Sequence, residues 1–255
     1  MATPAMPVVR FEFEQVVRRA FGLVRRNVLP FGLIVLSLIA LPQLIIGGLG
    51  RPDPANVGLT LLRGLLGLSA AAASIVAHTA LQRGAANDLE GRPFDVARSL
   101  ALGVKLFFPI FGISFLVGMG VFLGLLLLVV PGVILALVWS VAIAARVIDT
   151  QGVFASMQRS RDLTRGHRWS IFGLYLCYGL AVAAVEALVL VFSGGFSMAG
   201  IMALSSGFGL ARIAFYGLIV PISAALTAAL TTAVYYELTR GFDSSGAKGI
   251  GAVFD

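Results

Sequence analysis

The apolar residues of this chain fall in long blocks, not in alternation and not along one face of a helix. The longest uncharged stretch runs from Leu106 to Ala145, forty residues between Lys105 and Arg146. Blocks of about 18 or more apolar residues read as membrane spans. Six qualify, at roughly 28–47, 58–82, 106–130, 132–148, 170–192 and 209–236. The third and fourth are halves of the uncharged stretch. A straight helix of that length would measure about 60 Å, against a hydrocarbon core of about 30 Å. Tilt cannot absorb such an excess. Pro131 lacks the N–H a continuing helix needs, and Gly132 tolerates turn conformations. The Pro131-Gly132 pair is therefore expected to be the tip of a helical hairpin.

Polar stretches lie before the first, third and fifth blocks. In the first, Phe13, Val16, Val17, Ala20, Phe21 and Val24 share one helical face and the arginines point away. In the second, Phe94, Ala97, Ala101 and Val104 do the same. In the third, Phe154 and Met157 precede "RSRDLTRGHRW". These predict amphipathic interfacial helices over roughly 10–26, 93–104 and 152–165. Arg18, Arg98 and Arg159 each stand thirteen residues before a Phe-Gly pair that opens an odd-numbered span. The sequence thus suggests one unit used three times, an interfacial helix followed by a hairpin. A loose tail is expected from residue 241 to 255, which is Gly- and Ser-containing.

The charges orient this arrangement. If both termini face the cytoplasm, the cytoplasmic segments hold sixteen of the nineteen Lys and Arg residues. Only Arg51, Arg63 and Arg212 fall on the outer half. Basic residues gather at cytoplasmic helix ends, so this asymmetry predicts the orientation. Trp169, Tyr235 and Tyr236 are placed at the same interface.

Composition agrees: 58% of the residues are hydrophobic and 12% are charged, about half the charge of a soluble domain. A net charge of +7 would suggest nucleic acid in a soluble protein. Here it follows from the basic helix ends, and no nucleic-acid partner is expected. Cys177, the single cysteine, reads as a packing residue in a span. The stretch before the first span is long and carries both signs of charge, unlike a cleavable leader.

Two groups of residues could carry chemistry. Arg63, Glu186 and Arg212 are ionisable residues inside spans, all expected in the outer half. A charge at that depth costs at least about 3 kcal/mol on insertion scales, so it calls for a partner or water. Glu186 is expected to pair with Arg212, Arg63 or both, as a structural ion pair or as an intramembrane polar site; arginines snorkelling outward are the alternative. The second group is Arg18, Arg98, Arg159, Arg161, Arg165 and Arg168, candidate contacts to anionic lipid on the cytoplasmic side, each adding about 1 kcal/mol near an anionic leaflet. Ordinary topology signalling is the competing explanation. His78 stands alone in the second span. Two histidines and one cysteine assemble no metal-ligand set. No phosphate loop, nucleophile elbow or paired-carboxylate pattern is present. No catalytic residue, metal or cofactor is therefore expected. Asp149 and Glu237, at cytoplasmic helix ends, are expected to cap helices or pair with nearby arginines.

The segment "PGVILALVWSVAIAARVIDTQGVFASMQRSRDLTRGHRWSIFG" carries a pattern in Pro131, Gly132, Asp149, Gly152, Ala155, Ser160, Leu163, Thr164 and Gly166. With the terminal "TAVYYELTR" it resembles uncharacterised bacterial membrane-protein families related to the membrane domain of glycerophosphodiester phosphodiesterases. This chain departs from them in lacking a proline late in the fourth span. It also carries no soluble catalytic domain, where the phosphodiester chemistry of such fusions resides. The resemblance implies membrane location and fold, not activity.

The expectation is an all-α polytopic membrane protein with six spans as three hairpins, in the bacterial inner membrane with both termini cytoplasmic. The leading functional expectation is a non-enzymatic module that binds lipid or organises a membrane-protein partner. The alternatives are a small transporter or lipid-moving protein using Arg63, Glu186 and Arg212, and an intramembrane enzyme. Ligand, partner identity and oligomeric state are not legible in the sequence.

Overall fold

The computed structural model describes residues 11–49, 56–192, 213 and 215–251, with the side chains of 190, 192 and 242–251 outside that description. The described helices are α1 (Phe13–Arg26), α2 (Val28–Val35), α3 (Leu41–Gly48), α4 (Val57–Leu89), α5 (Val96–Lys105), α6 (Phe107–Leu127), α7 (Val129–Val138), α8 (Ala142–Asp149), α9 (Val153–Thr164), α10 (Arg168–Phe192) and α11 (Val220–Gly251). Among the described residues six helical segments are long and apolar enough to cross a membrane: Val28–Gly48, Val57–Leu89, Phe107–Leu127, Val129–Asp149, Arg168–Val189 and Phe215–Gly241. The protein is an all-α, multi-pass membrane protein. Short helices α1, α5 and α9 stand before the first, third and fifth spans.

Each short helix is bounded by a local signal at one end. α1 stops at Asn27, whose side-chain amide donates to the Leu23 carbonyl at 3.0 Å. The same carbonyl accepts the Asn27 N–H at 3.1 Å, so the side chain closes the last turn of α1 just before Val28 begins the first span. α5 starts at Asp95, whose carboxylate accepts the Arg98 N–H at 3.0 Å, an N-cap worth about 1 kcal/mol. α9 ends before Gly166, which has φ +89°. Only glycine takes that conformation without steric cost.

The first and sixth spans each contain a widened π-helical turn, at Leu36–Ala40 and Phe215–Ile219. A proline, Pro42 or Pro221, follows each within three residues. Proline leaves the carbonyl four residues back without its donor, and the helix adjusts around it. The two widened turns pack against each other.

The long uncharged stretch does turn, but not where the sequence placed the turn. The break is Leu128, in extended conformation at φ −164° and ψ 149°. Pro131 and Gly132 lie inside the first turn of α7. The first N–H groups of a helix have no intrahelical acceptor, so a proline there loses nothing. Gly132 serves close approach instead. A Cβ at Gly124 would meet the Gly132 Cα at 2.8 Å, and one at Gly132 would meet the Leu125 backbone nitrogen at 2.7 Å. Two small residues thus let α6 and α7 touch backbone to backbone.

The fourth span is interrupted again at Trp139–Val141, and α9 folds back against α8. α11 runs to Gly251, past the point where a loose tail was expected. Extending an existing helix needs no new nucleus, so weak helix formers can continue it. Residues 252–255 lie outside the described residues.

The core lies towards the end of the bundle where the arginines gather. Val16, Ala20 and Leu23 of α1, Ala77, Ala80, Leu81 and Ala85 of α4, and Ala225, Ala228, Ala229 and Ala233 of α11 are all buried there. The alanines of α4 and α11 allow close packing at 3.6-residue spacing. At the other end large apolar side chains stay exposed: Leu61, Leu65 and Leu68 on α4, Phe122 and Leu126 on α6, Leu180 and Leu188 on α10. In a bilayer, acyl chains cover these surfaces.

Candidate functional site

The polar groups at the arginine-rich end divide into two sets. The first ties helices together. Arg19 of α1 pairs with Glu237 of α11 at 2.5 Å, and Arg26 of α1 with Asp88 of α4 at 2.6 Å. Tyr235 of α11 donates to Asp149 of α8 at 2.5 Å, and Arg159 of α9 lies 3.8 Å from the same carboxylate. Tyr236 donates to Glu90 at 2.5 Å, and Glu90 also pairs with Arg92. Asp149 and Glu237 are therefore paired, as the sequence led us to expect. Tyr235 is almost fully buried against the neighbouring helices.

The second set lines a groove of 960 Å³ between α7, α9 and the start of α10. Its floor and walls include Trp139, Phe154, Met157 and Trp169, and its polar rim is Gln158, Arg161, Asp162, Arg165 and Arg168. Local packing positions each part. Trp139 lies against α6 where Gly120 leaves room; a Cβ there would meet the indole at 2.6 Å. The backbone breaks at Trp139, and the carbonyl before it, that of Val138, turns to α9. Ser160 Oγ donates to it at 2.8 Å and Thr164 Oγ1 lies at 3.4 Å. These hydroxyls anchor α9, with Leu163 also buried, so that Arg161 and Arg165 face outward into the groove. Gly166 then reverses the chain, and α10 begins at Arg168.

The electrostatics of the groove favour an anion. Three guanidiniums face one carboxylate, leaving two positive charges in excess. The Nε of Arg168 is buried with no hydrogen-bond partner among the described residues. The first backbone bond of α10 runs from the Ile171 N–H to the His167 carbonyl at 3.0 Å. The N–H groups of Arg168, Trp169 and Ser170 therefore have no acceptor within the helix, and the positive end of a 25-residue helix opens here. Asp162 enters no ion pair among the described residues.

The six arginines picked out by sequence do not act as one set. Arg161, Arg165 and Arg168 share the groove. Arg159 belongs to the Asp149–Tyr235 tie. Arg18 pairs with Glu14 and Arg98 with Asp95, each within its own helix. Arg18 and Glu14 are 79% and 80% exposed, and such a pair contributes little. Arg63 is half-buried on α4 and Glu186 half-buried on α10. Arg212 lies outside the described residues. His78 is half-buried on α4. No group of three metal-ligating side chains occurs among the described residues.

Sequence reasoning missed the groove's aromatic wall and the break at Trp139. The available signal was Ser160 and Thr164, four residues apart on a helix face, which need an acceptor when buried. The same structure accounts for most of the quoted sequence pattern. Asp149 accepts from Tyr235, the Gly152 carbonyl accepts from Ser156, Ser160 and Thr164 hold Val138, and Gly166 takes the positive φ.

A second groove, of 510 Å³, lies between α1, α10 and α11 and is almost wholly apolar, with Phe13, Phe21, Val182 and Ile222 among its walls. No protein-family model matches the chain, and no solved structure matches it.

Proposed function

We propose that this protein is a non-enzymatic lipid-binding module of the bacterial inner membrane. It holds an anionic headgroup in the groove between α7, α9 and α10, on the cytoplasmic side, with both termini cytoplasmic. The observation that carries the reading is the convergence of Arg161, Arg165 and Arg168 over an aromatic wall at the open N-terminus of α10. Guanidiniums and helix N–H groups are donors suited to phosphate oxygens. Apolar walls suit the glycerol and the first methylenes of a lipid. Attraction of about 1 kcal/mol per basic residue sums to about 3 kcal/mol for three, roughly a hundredfold in affinity.

The test is extraction into native-lipid nanodiscs followed by mass spectrometry of retained lipid. Anionic lipid should be retained by the wild type and lost when Arg161, Arg165 and Arg168 are all changed to Gln. Arg18→Gln with Arg98→Gln should leave retention unchanged. Equal retention by the triple variant would refute the groove as the site.

A further inference from the structure

We infer that the apolar groove between α1, α10 and α11 holds one acyl chain of a membrane phospholipid, whatever its headgroup. It is a different site from the basic groove, lined on α10 by Leu174, Ala181 and Val185 instead of Arg168 and Trp169. It begins under α1. Phe11, just before α1, lies 6.4 Å from His167 between ring centroids, and Arg19 ties α1 to Glu237 near the end of the sixth span. From there the groove runs between α10 and the sixth span as far as Val185 and Leu218. Leu174 to Val185 is about 16 Å of helix, and one leaflet of hydrocarbon is about 15 Å thick. A volume of 510 Å³ over that length gives a section of about 30 Å². A methylene chain about 5 Å across at van der Waals contact takes about 20 Å², so one chain enters and two do not. A helix about 10 Å across takes about 80 Å² and would rest on the rim, so the span of a partner does not fill the groove.

The walls agree with such an occupant. No charged side chain lines the groove among the described residues. Its two hydroxyl groups are satisfied within the protein: Tyr178 Oη donates to the Ser223 carbonyl at 2.8 Å, and Ser223 Oγ to the Val220 carbonyl at 2.9 Å. No strong donor or acceptor among the lining side chains is left to select a headgroup or a polar solute. Phe13 and Phe21 line the groove and are 43% and 60% exposed. A chain beneath α1 covers the apolar face that an amphipathic helix buries at the interface.

The experiment uses the full chain, stripped of lipid in detergent and returned to nanodiscs of phosphatidylcholine alone. Native mass spectrometry, at energies that remove the surrounding lipid, reads what stays bound. The wild type should keep one phosphatidylcholine. Ala181→Trp, which fills the groove from an exposed position on its wall, should lose it. Ala183→Trp, the same exchange at an exposed position outside the lining, should keep it. Val185→Trp fills the far end and stands in if Ala181→Trp does not elute as the wild type does in gel filtration. The variant with Arg161, Arg165 and Arg168 all changed to Gln should also keep the lipid, so this result and the fate of the anionic-headgroup reading are independent. Retention by Ala181→Trp and Val185→Trp equal to that of the wild type would overturn the inference. So would equal loss from Ala183→Trp, which would trace the effect to bulk on α10 and not to the groove. Loss from the triple Gln variant would return the lipid to the basic groove and overturn it too, as would a second copy of the chain retained in place of the lipid.

Discussion

Val138 shows how a single backbone carbonyl can organise a site. The helix breaks after it, and Ser160 and Thr164 supply the donors from α9. Removing both hydroxyls with Ser160→Ala and Thr164→Val would leave a buried acceptor unsatisfied. A loss of about 1–3 kcal/mol is expected, read as a lower melting midpoint in detergent, with weaker lipid retention because α9 and the turn after it carry Arg161 and Arg165. An unchanged midpoint would mean that the carbonyl is satisfied otherwise. Gly166→Ala should cost about 1–2 kcal/mol from the left-handed backbone alone. The arginines were legible in the sequence as a basic cluster. Which three would meet was not, because that depends on the reversal at Gly166 and on α9 packing against α8.

The α6–α7 hairpin separates the roles of its proline and its glycines. Pro131 sits in the first turn of α7, so Pro131→Ala should change stability by no more than about 0.5 kcal/mol. Gly124→Val or Gly132→Val should destabilise by about 1–3 kcal/mol, since a new side chain would enter the opposing backbone or Leu125. Thermal unfolding in detergent would rank the three, and a Pro131→Ala loss equal to that of the glycine variants would contradict this division. The sequence announced a turn through its length and its Pro-Gly pair. It placed the turn three residues late, because a proline can start a helix as readily as it ends one.

At the scale of the molecule, packing and polar ties concentrate at one end while the other end offers apolar side chains outward. The ties join α1 to α4 and α11, and α11 to α8 and to the segment after α4. If the basic end faces the cytoplasm, as the charge distribution predicts, a cysteine at Pro93 in a Cys177→Ser background should react with a membrane-impermeant thiol reagent only when the cytoplasmic face is opened. Labelling of intact cells from outside would reverse the orientation and move the groove to the opposite leaflet.

Hydrophobic length and charge are local properties, so the sequence by itself determined the number of spans, their pairing as hairpins and the short helices before the odd-numbered spans. A span needs only enough consecutive apolar residues, whatever its neighbours are. The tertiary structure decided the rest. Arg18, Arg98 and Arg161 look alike in sequence, but two pair within their own helices and the third enters a groove. Trp139 reads as one more apolar residue until Gly120, nineteen positions earlier, makes room for it and α9 closes over the break. Such contacts depend on helix tilt, breaks and reversals that bring distant residues together, and no local pattern encodes them.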